Sequence, residues 1–266
     1  MHSPADPLSH MRSGAMELVP AAAAVLGRLH ERGPKVHCIT NAVAQNFTAN
    51  VLLAAGCVPS MTLSPEEIAP FVAHADALLV NLGTFDRERR EATDIAVETA
   101  GQHQVPWVLD PVFIDRAAPR ADFARTLVGR GPKVVRLNTR EFAALAGAQP
   151  TAATVAAYAR EHATVVALSG ETDLIGDGAR LAHIANGHPL MAKVTAMGCA
   201  GAALVAACLA VEPDPWRAAA AGALMIDIAG ELAAAKSEGP GSFAVAILDA
   251  LYRLDEPALL RHVRET

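Results

Sequence analysis

The chain is short of aromatic residues, of paired cysteines and of basic charge, and each shortage removes a class of protein. Trp, Tyr and Phe make up only 4% of the 266 residues, so the core has to be assembled from Ala, Val and Leu. Cys38, Cys57, Cys199 and Cys208 form no C-x-x-C pair and no zinc-like spacing. This excludes a disulfide-stapled or zinc-organised scaffold and predicts free thiols in a reducing cytoplasm. Lys and Arg number 22 against 28 Asp and Glu, a formal net charge of −6. Such a balance argues against a nucleic-acid binder that needs a basic face. Large apolar residues never accumulate over a membrane-spanning length. Val194–Val211 carries no charge over eighteen residues, but it is mostly Ala and Gly and is bracketed by Lys193 and Glu212. The Leu, Ile and Phe that drive insertion are scarce there, so no membrane helix is expected.

What is present is alternation. Short apolar runs at Lys35–Ile39, Val58–Met61, Asp76–Val80, Val105–Leu109, Lys133–Arg136 and Thr164–Leu168 are separated by amphipathic helical patterns. That order predicts an α/β fold with a mostly parallel sheet. Leu18, Val25 and Leu29 share a helical face, while Glu17 and Pro20 interrupt what could otherwise pass for a leader peptide. Ser64-Pro65-Glu66-Glu67 has the form of a capping box, and Asp86 and Thr151 stand where helix caps belong. Asp173–Gly176 and Ala179–Ala185, joined by Asp177-Gly178, predict a β-hairpin at the antiparallel edge of the sheet. Helices are expected near Trp216–Ala235, Phe243–Leu254 and Glu256–Arg264. No repeat or linker is evident, so residues 16–266 read as one domain behind a loose polar tail over residues 1–15.

Two features point to a site. Asn41, Asn81, Asp110, Asn138 and Ser169 each fall at the C-terminal end of an expected strand, where open α/β sheets hold their ligands. Any one of them is also an ordinary turn residue. The second feature is the turn Thr195-Ala196-Met197-Gly198-Cys199, where small residues open an Ala-rich helix. Backbone N–H groups at a helix mouth lack intrahelical partners and favour anions, and the same field favours a thiolate at Cys199. The plain alternative is a buried helix with no ligand, in which Cys199 is a small core residue.

Taken together these segments resemble the hydroxyethylthiazole kinases. The resemblance rests on Ile39-Thr40-Asn41, Asn46-Phe47-Thr48-Ala49-Asn50, Gly56 with Pro59-Ser60-Met61, Asn81-Leu82-Gly83-Thr84 and Leu109-Asp110-Pro111-Val112. It continues through Arg136-Leu137-Asn138 with Glu141, Ser169-Gly170-Glu171-Thr172-Asp173, Val194-Thr195 leading to Gly198-Cys199, and Gly239-Pro240-Gly241-Ser242-Phe243. The resemblance implies a ribokinase-like three-layer αβα sandwich and a homotrimer with active sites at subunit interfaces. It also implies Mg²⁺-dependent transfer from ATP to the hydroxyl of 4-methyl-5-(2-hydroxyethyl)thiazole in thiamine salvage. By position it makes Met61, Ala196 and Asn41 substrate contacts, and Arg136, Ser169, Asn138, Met197 and Gly198 ATP contacts. Asp110 and Glu141 become metal ligands, and Cys199 falls where related kinases carry an Asp base.

The sequence departs from that family in two places. Ala196-Met197 replaces the usual Gly-Thr before Gly198-Cys199, and Phe113-Ile114-Asp115 replaces a Gly-Ala-Gly run after Val112. Both changes add bulk at the site. The readings that compete with a thiazole kinase are a ribokinase-like kinase for another small heterocyclic alcohol and a nucleotide-binding homologue weakened in catalysis. A cysteine-nucleophile hydrolase lacks a clear base, because His37, His74, His103, His162, His183 and His188 lie in no triad motif.

Overall fold

A computed structural model describes residues 12–13 and 15–264 of the chain. Among the described residues nine strands form a single sheet: β1 (Arg12–Ser13), β2 (Lys35–Ile39), β3 (Val58–Ser60), β4 (Ala77–Asn81), β5 (Trp107–Asp110), β6 (Val134–Asn138), β7 (Val165–Ser169), β8 (Asp173–Gly176) and β9 (Leu181–Ile184). Their order is β1-β9-β8-β7-β6-β5-β4-β2-β3. Neighbours run parallel except at β7–β8 and β8–β9. The expected hairpin therefore exists, but it is not the edge of the sheet, because β1 pairs outside it with β9. Most of the expected loose tail lies outside the described residues. Within it Arg12–Ser13 is strand, and Ala15 opens the first helix.

Helices cover both faces. On one side lie α1 (Ala15–Arg32), α2 (Gln45–Ala54), α8 (Met197–Val211), α9 (Pro215–Ala234), α10 (Pro240–Tyr252) and α11 (Glu256–His262), sharing a core with Val36, Cys38, Leu79, Val108 and Val134 of the sheet. On the other lie α3 (Ile68–Ala73), α4 (Arg87–His103), α5 (Ala118–Val128), α6 (Thr139–Ala146) and α7 (Ala152–His162), packed on Ile39, Leu78, Val80, Leu109 and Val135. Alternate residues of each central strand thus enter opposite cores, as the period-two geometry of a doubly covered sheet requires. The three-layer αβα sandwich is the expected architecture. Among the described residues no helix is long and apolar enough to cross a membrane.

Two local expectations fail for identifiable reasons. Glu67 does not close a capping box on Ser64. Its carboxylate accepts from the Thr62 hydroxyl instead, and α3 starts at Ile68 without a side-chain cap. Helix α6 was not anticipated. Asn138 and Glu141 form its capping box, Asn138 Oδ1 accepting from Arg140 N at 2.9 Å and Glu141 N at 3.0 Å while Glu141 Oε2 accepts from Asn138 N at 2.9 Å. A helix this short gives too little periodicity to register.

Helix α8 packs against α1, α2, α9, β2, β4 and β5 and is buried along almost its whole length. Its small side chains allow that close approach. A Cβ on Gly222 of α9 would stand 2.9 Å from Val205 Cγ2 and 3.1 Å from Val205 Cα. Backbone cannot yield as a flexible side-chain tip can, so Gly222→Ala should lower stability by about 1 kcal/mol net of its helix-propensity gain, or a few degrees in Tm. Gly101→Ala in α4, where a Cβ meets nothing within 4 Å, should raise Tm or leave it unchanged. Equal thermal shifts for the two variants would contradict this account of the α8–α9 contact.

Candidate active site

Strand register assembles the polar residues. Asn81 ends β4 directly opposite Asp110 at the end of β5, and Asn138 at the end of β6 faces Ser169 at the end of β7. Asn41 lies just beyond β2. Asn41, Asn81 and Asp110 are buried and converge on the first turn of α8. The Asn41 and Asn81 amides donate to Cys199 Sγ at 3.3 Å and 3.2 Å, and Asn81 Nδ2 also donates to Asp110 Oδ2 at 2.6 Å. Asn81 Oδ1 accepts from Asn41 Nδ2 at 3.3 Å and from Gly83 N at 3.0 Å. Gly83 is required here, because a Cβ would sit 2.6 Å from Asn41 Nδ2.

The thiol does not ionise as the helix mouth alone suggests. Burial, and then the nearby Asp110 carboxylate, push Cys199 up to about 12, although Asn41, Asn81 and Arg136 pull the other way. A helix terminus contributes at most about 2 kcal/mol, which desolvation exceeds here. Cys199 is therefore a neutral thiol accepting two amide hydrogen bonds, and the expectation of a thiolate is corrected.

Asp110 is also pushed up, to about 7, by burial and then by the Glu141 carboxylate. Glu141 is buried and engaged at both oxygens, Oε2 in the α6 cap and Oε1 accepting from Phe113 N at 3.0 Å. Two hard carboxylates repelling each other in one buried spot suit a Mg²⁺ ion that completes its shell with water and phosphate. Among the described residues no group of three or more His, Cys, Asp or Glu is placed to hold a metal without such help. The pair thus fits an ion that arrives with its phosphate ligand.

Arg136 rises from β6 and lies along the first turns of α8. Its Nη1 donates to Gly198 O at 2.9 Å, and a Cβ on Gly201 would approach Nη2 to 3.0 Å. Beside it opens a cavity of about 690 Å³ lined by Arg136, Ser169, Met197, Gly198, Asp173 and Asp227 among others. The structure therefore brings Arg136, Ser169, Met197 and Gly198 to one cavity. Asn138 lies outside that lining, as the cap of α6. Met61 follows β3, half-buried against the α8-side core, with His37 bonded to the residues on either side of it. His37 Nδ1 pairs with Ser60 Oγ at 2.8 Å, and Nε2 donates to Thr62 O at 3.2 Å. Burial holds this imidazole neutral, at about 4.

Ala196, the N-cap of α8, has φ 72° and offers no capping side chain. Phe113 has φ 61° and is half exposed, with the Arg116 guanidinium 5.2 Å from its ring centroid. Both departures from the family pattern thus stand in left-handed backbone, the conformation that glycine adopts without cost.

Sequence reasoning missed three contributors. Arg120 Nη1 donates to Leu82 O at 2.7 Å, Val112 O at 3.0 Å and Gly83 O at 3.1 Å, tying the loops after β4 and β5 together. Nothing in the sequence marks this arginine out. Asp173 and Asp227 bring two more buried carboxylates to the cavity wall. Asp227 left a signal, being the one charge between Arg217 and Glu231 in an apolar helix.

The sheet order and the site at its C-terminal edge define a ribokinase-like kinase fold. A ribokinase-like superfamily protein from Enterococcus faecalis V583 superposes with a TM-score of 0.63 at 18% identity over 84% of this chain and 88% of its own, a likeness of fold. The family model for the hydroxyethylthiazole kinase family matches residues 26–257, and the chain belongs to that family. A hydroxyethylthiazole kinase of Granulibacter bethesdensis is 46% identical over 250 residues, 89% of this chain and 91% of that protein. The structure of a hydroxyethylthiazole kinase from Pyrococcus horikoshii OT3 superposes with a TM-score of 0.88 at 37% identity, over 92% of this chain and 98% of that one.

Two outcomes follow from the site geometry. Native protein at pH 8 should react with a thiol reagent only in trace amounts, because a pKa near 12 leaves roughly one Cys199 in ten thousand ionised. Denaturant should release all four thiols, and rapid modification of native Cys199 would overturn its assignment as a neutral thiol. Ala196→Gly should raise Tm by relieving about 1 kcal/mol of left-handed strain, and a clear fall in Tm would contradict that strain.

Proposed function

We propose that the protein transfers the γ-phosphoryl group of ATP to the hydroxyl of 4-methyl-5-(2-hydroxyethyl)thiazole, in the cytoplasm and in the service of thiamine salvage. The observation that carries this reading is the first turn of α8. Its N–H groups, the Arg136 guanidinium and the Cys199–Asn81–Asp110 chain of contacts meet at one point of a chain belonging to the hydroxyethylthiazole kinase family.

Phosphoryl transfer needs positioning and charge stabilisation more than covalent help from the protein. The amides of Met197, Gly198 and Cys199, without partners inside the helix, hold the γ-phosphoryl oxygens. Arg136 lies beside the same turn and offsets triphosphate charge. Asp110 and Glu141 would hold Mg²⁺, which when bound would supply positive charge against the triphosphate. Asn41 and Asn81 fix the Cys199 sulfur, and the neutral thiol orients the substrate hydroxyl instead of accepting its proton. As the oxygen bonds to the γ-phosphorus, the bond to the bridging oxygen breaks, ADP leaves, and the hydroxyl proton passes to an oxygen of the transferred phosphoryl group and from there to water. Met61 and Ala196 face the thiazole in this reading, and His37 braces Met61 through its neighbours.

A homotrimer is proposed with it. An apolar groove of about 390 Å³ at the β3 edge is lined by Val58 and Phe71, both exposed in the single chain. This edge carries Met61 onward from β3 and is the face on which a neighbouring subunit would complete a thiazole pocket.

A coupled ADP-release assay with the thiazole alcohol should show turnover that depends on Mg²⁺. No ADP release with this alcohol, but release with another heterocyclic alcohol, would replace the substrate. Cys199→Ala should slow kcat about tenfold with KM for ATP nearly unchanged, the size of one lost hydrogen bond. A loss of 10² or more is the signature of a missing general base and would contradict the orienting role. Arg136→Ala should raise KM for ATP at least about tenfold, and an unchanged KM would remove Arg136 from the nucleotide site.

A further inference from the structure

The cavity beside Arg136 is polarised in a way that the phosphate chemistry does not use. Part of its wall carries Arg136 and the mouth of α8, and part carries Asp173 and Asp227 together with apolar Met191 and Ile226. Phosphate oxygens cannot rest against two carboxyl groups, so a nucleotide entering this space turns its triphosphate to Arg136 and its nucleoside to Asp173 and Asp227. A volume of about 690 Å³ accommodates both halves.

Asp227 is the unexplained group on that wall. It is 7% exposed, and its Oδ2 has no hydrogen-bond partner. A buried acceptor without a partner carries a desolvation cost, so it calls for a ligand or a functional reason. The segment beside it is held in place. Glu231, one turn further along α9, accepts from Gly187 N at 3.0 Å and Asn186 Nδ2 at 3.2 Å, pinning the segment that faces Asp227. Gly187 has φ 120°, and a Cβ there would stand 3.7 Å from Asp227 Oδ1, so the glycine leaves space in front of the carboxyl group. Asp173 is already engaged, its Oδ1 accepting from Gly170 N at 2.9 Å. Burial first, and then the Asp173 and Glu231 carboxylates, push the Asp227 pKa up, while Arg136 draws it down. An uncharged nucleoside suits such a wall better than any further anion.

We infer that Asp227 is the polar contact for the nucleoside half of ATP, accepting a hydrogen bond from a ribose hydroxyl or from the amino group of the base. Met191 and Ile226 supply the apolar surface beside it. This rests on the kinase reading above and adds to it a residue that selects the nucleotide.

Equilibrium binding of ATP, 2′-deoxy-ATP, 3′-deoxy-ATP and ITP to the full chain tests the inference. In the wild type, the analogue lacking the donor that meets Asp227 should bind about tenfold more weakly than ATP. The deoxynucleotides report on the ribose, and ITP on the base amino group. Asp227→Ala should bind ATP as weakly as the wild type binds that analogue, and should no longer distinguish the two. Asp227→Asn, which keeps an acceptor oxygen and the shape of the side chain, should restore the discrimination. Tripolyphosphate should bind wild type and Asp227→Ala alike, which also reports on an intact phosphate end. Unchanged ATP affinity in Asp227→Ala, or an equal loss for all four nucleotides, would overturn the assignment while leaving the kinase reading in place. Wild-type protein that binds none of the nucleotides would end both.

Discussion

An α-helix that is apolar on nearly every side has to be enclosed, and once enclosed it has little freedom to shift. Helix α8 is in that position, with α9 and α1 against it and the central strands beneath. Its mass of Ala and Gly gives up large side chains for close approach. Burial of backbone and methyl surface then substitutes for the aromatic packing that this chain lacks. The consequence for function is positional. The first turn is delivered to the C-terminal edge of the sheet, where register has already set Asn81 beside Asp110 and Asn138 beside Ser169. Strand pairing and helix burial together fix the site, so no flexible loop has to find it.

Burial also decides the charges. The same enclosure that holds the helix mouth still keeps Cys199 a thiol and moves Asp110 towards neutrality. Arg136 is the positive group that acts on all of this. It lowers the pKa of Cys199, Asp110, Asp173 and Asp227, and so links the thiol end of the site to the carboxyl groups that line the cavity. A triphosphate bound beside Arg136, as proposed, would compete with those carboxyl groups for one guanidinium. In that proposal the mouth of α8 shares the charge neutralisation.

Much of this was legible in the sequence, for physical reasons that differ from residue to residue. The central strands β4 and β5 announced themselves because each is a short apolar run, buried on both faces and ended by a polar residue, as at Leu79-Val80-Asn81 and Val108-Leu109-Asp110. The mouth of α8 was visible as Gly198-Cys199 at the start of an uncharged run. Contacts between distant segments were not visible. Arg120, which ties two loops by their carbonyls, has no pattern of its own, and the reach of Glu141 to Phe113 N depends on a helix too short to detect. Field arguments also fell short. From the sequence Cys199 sits in a favourable helix dipole, and only the folded chain shows how far desolvation exceeds it. The two bulky departures gained meaning in the same way, since the left-handed backbone at Ala196 and Phe113 appears only in three dimensions.

The account stands or falls on where the terminal phosphate of the nucleotide rests. A crystal structure with a non-hydrolysable ATP analogue and the thiazole alcohol measures this directly. The γ-phosphoryl oxygens should lie within hydrogen-bond distance of the Gly198 and Cys199 amides, with the alcohol oxygen between that phosphorus and Cys199 Sγ. A nucleotide bound with its γ-phosphate away from the α8 mouth, or excluded from it by the Met197 side chain, would contradict the account.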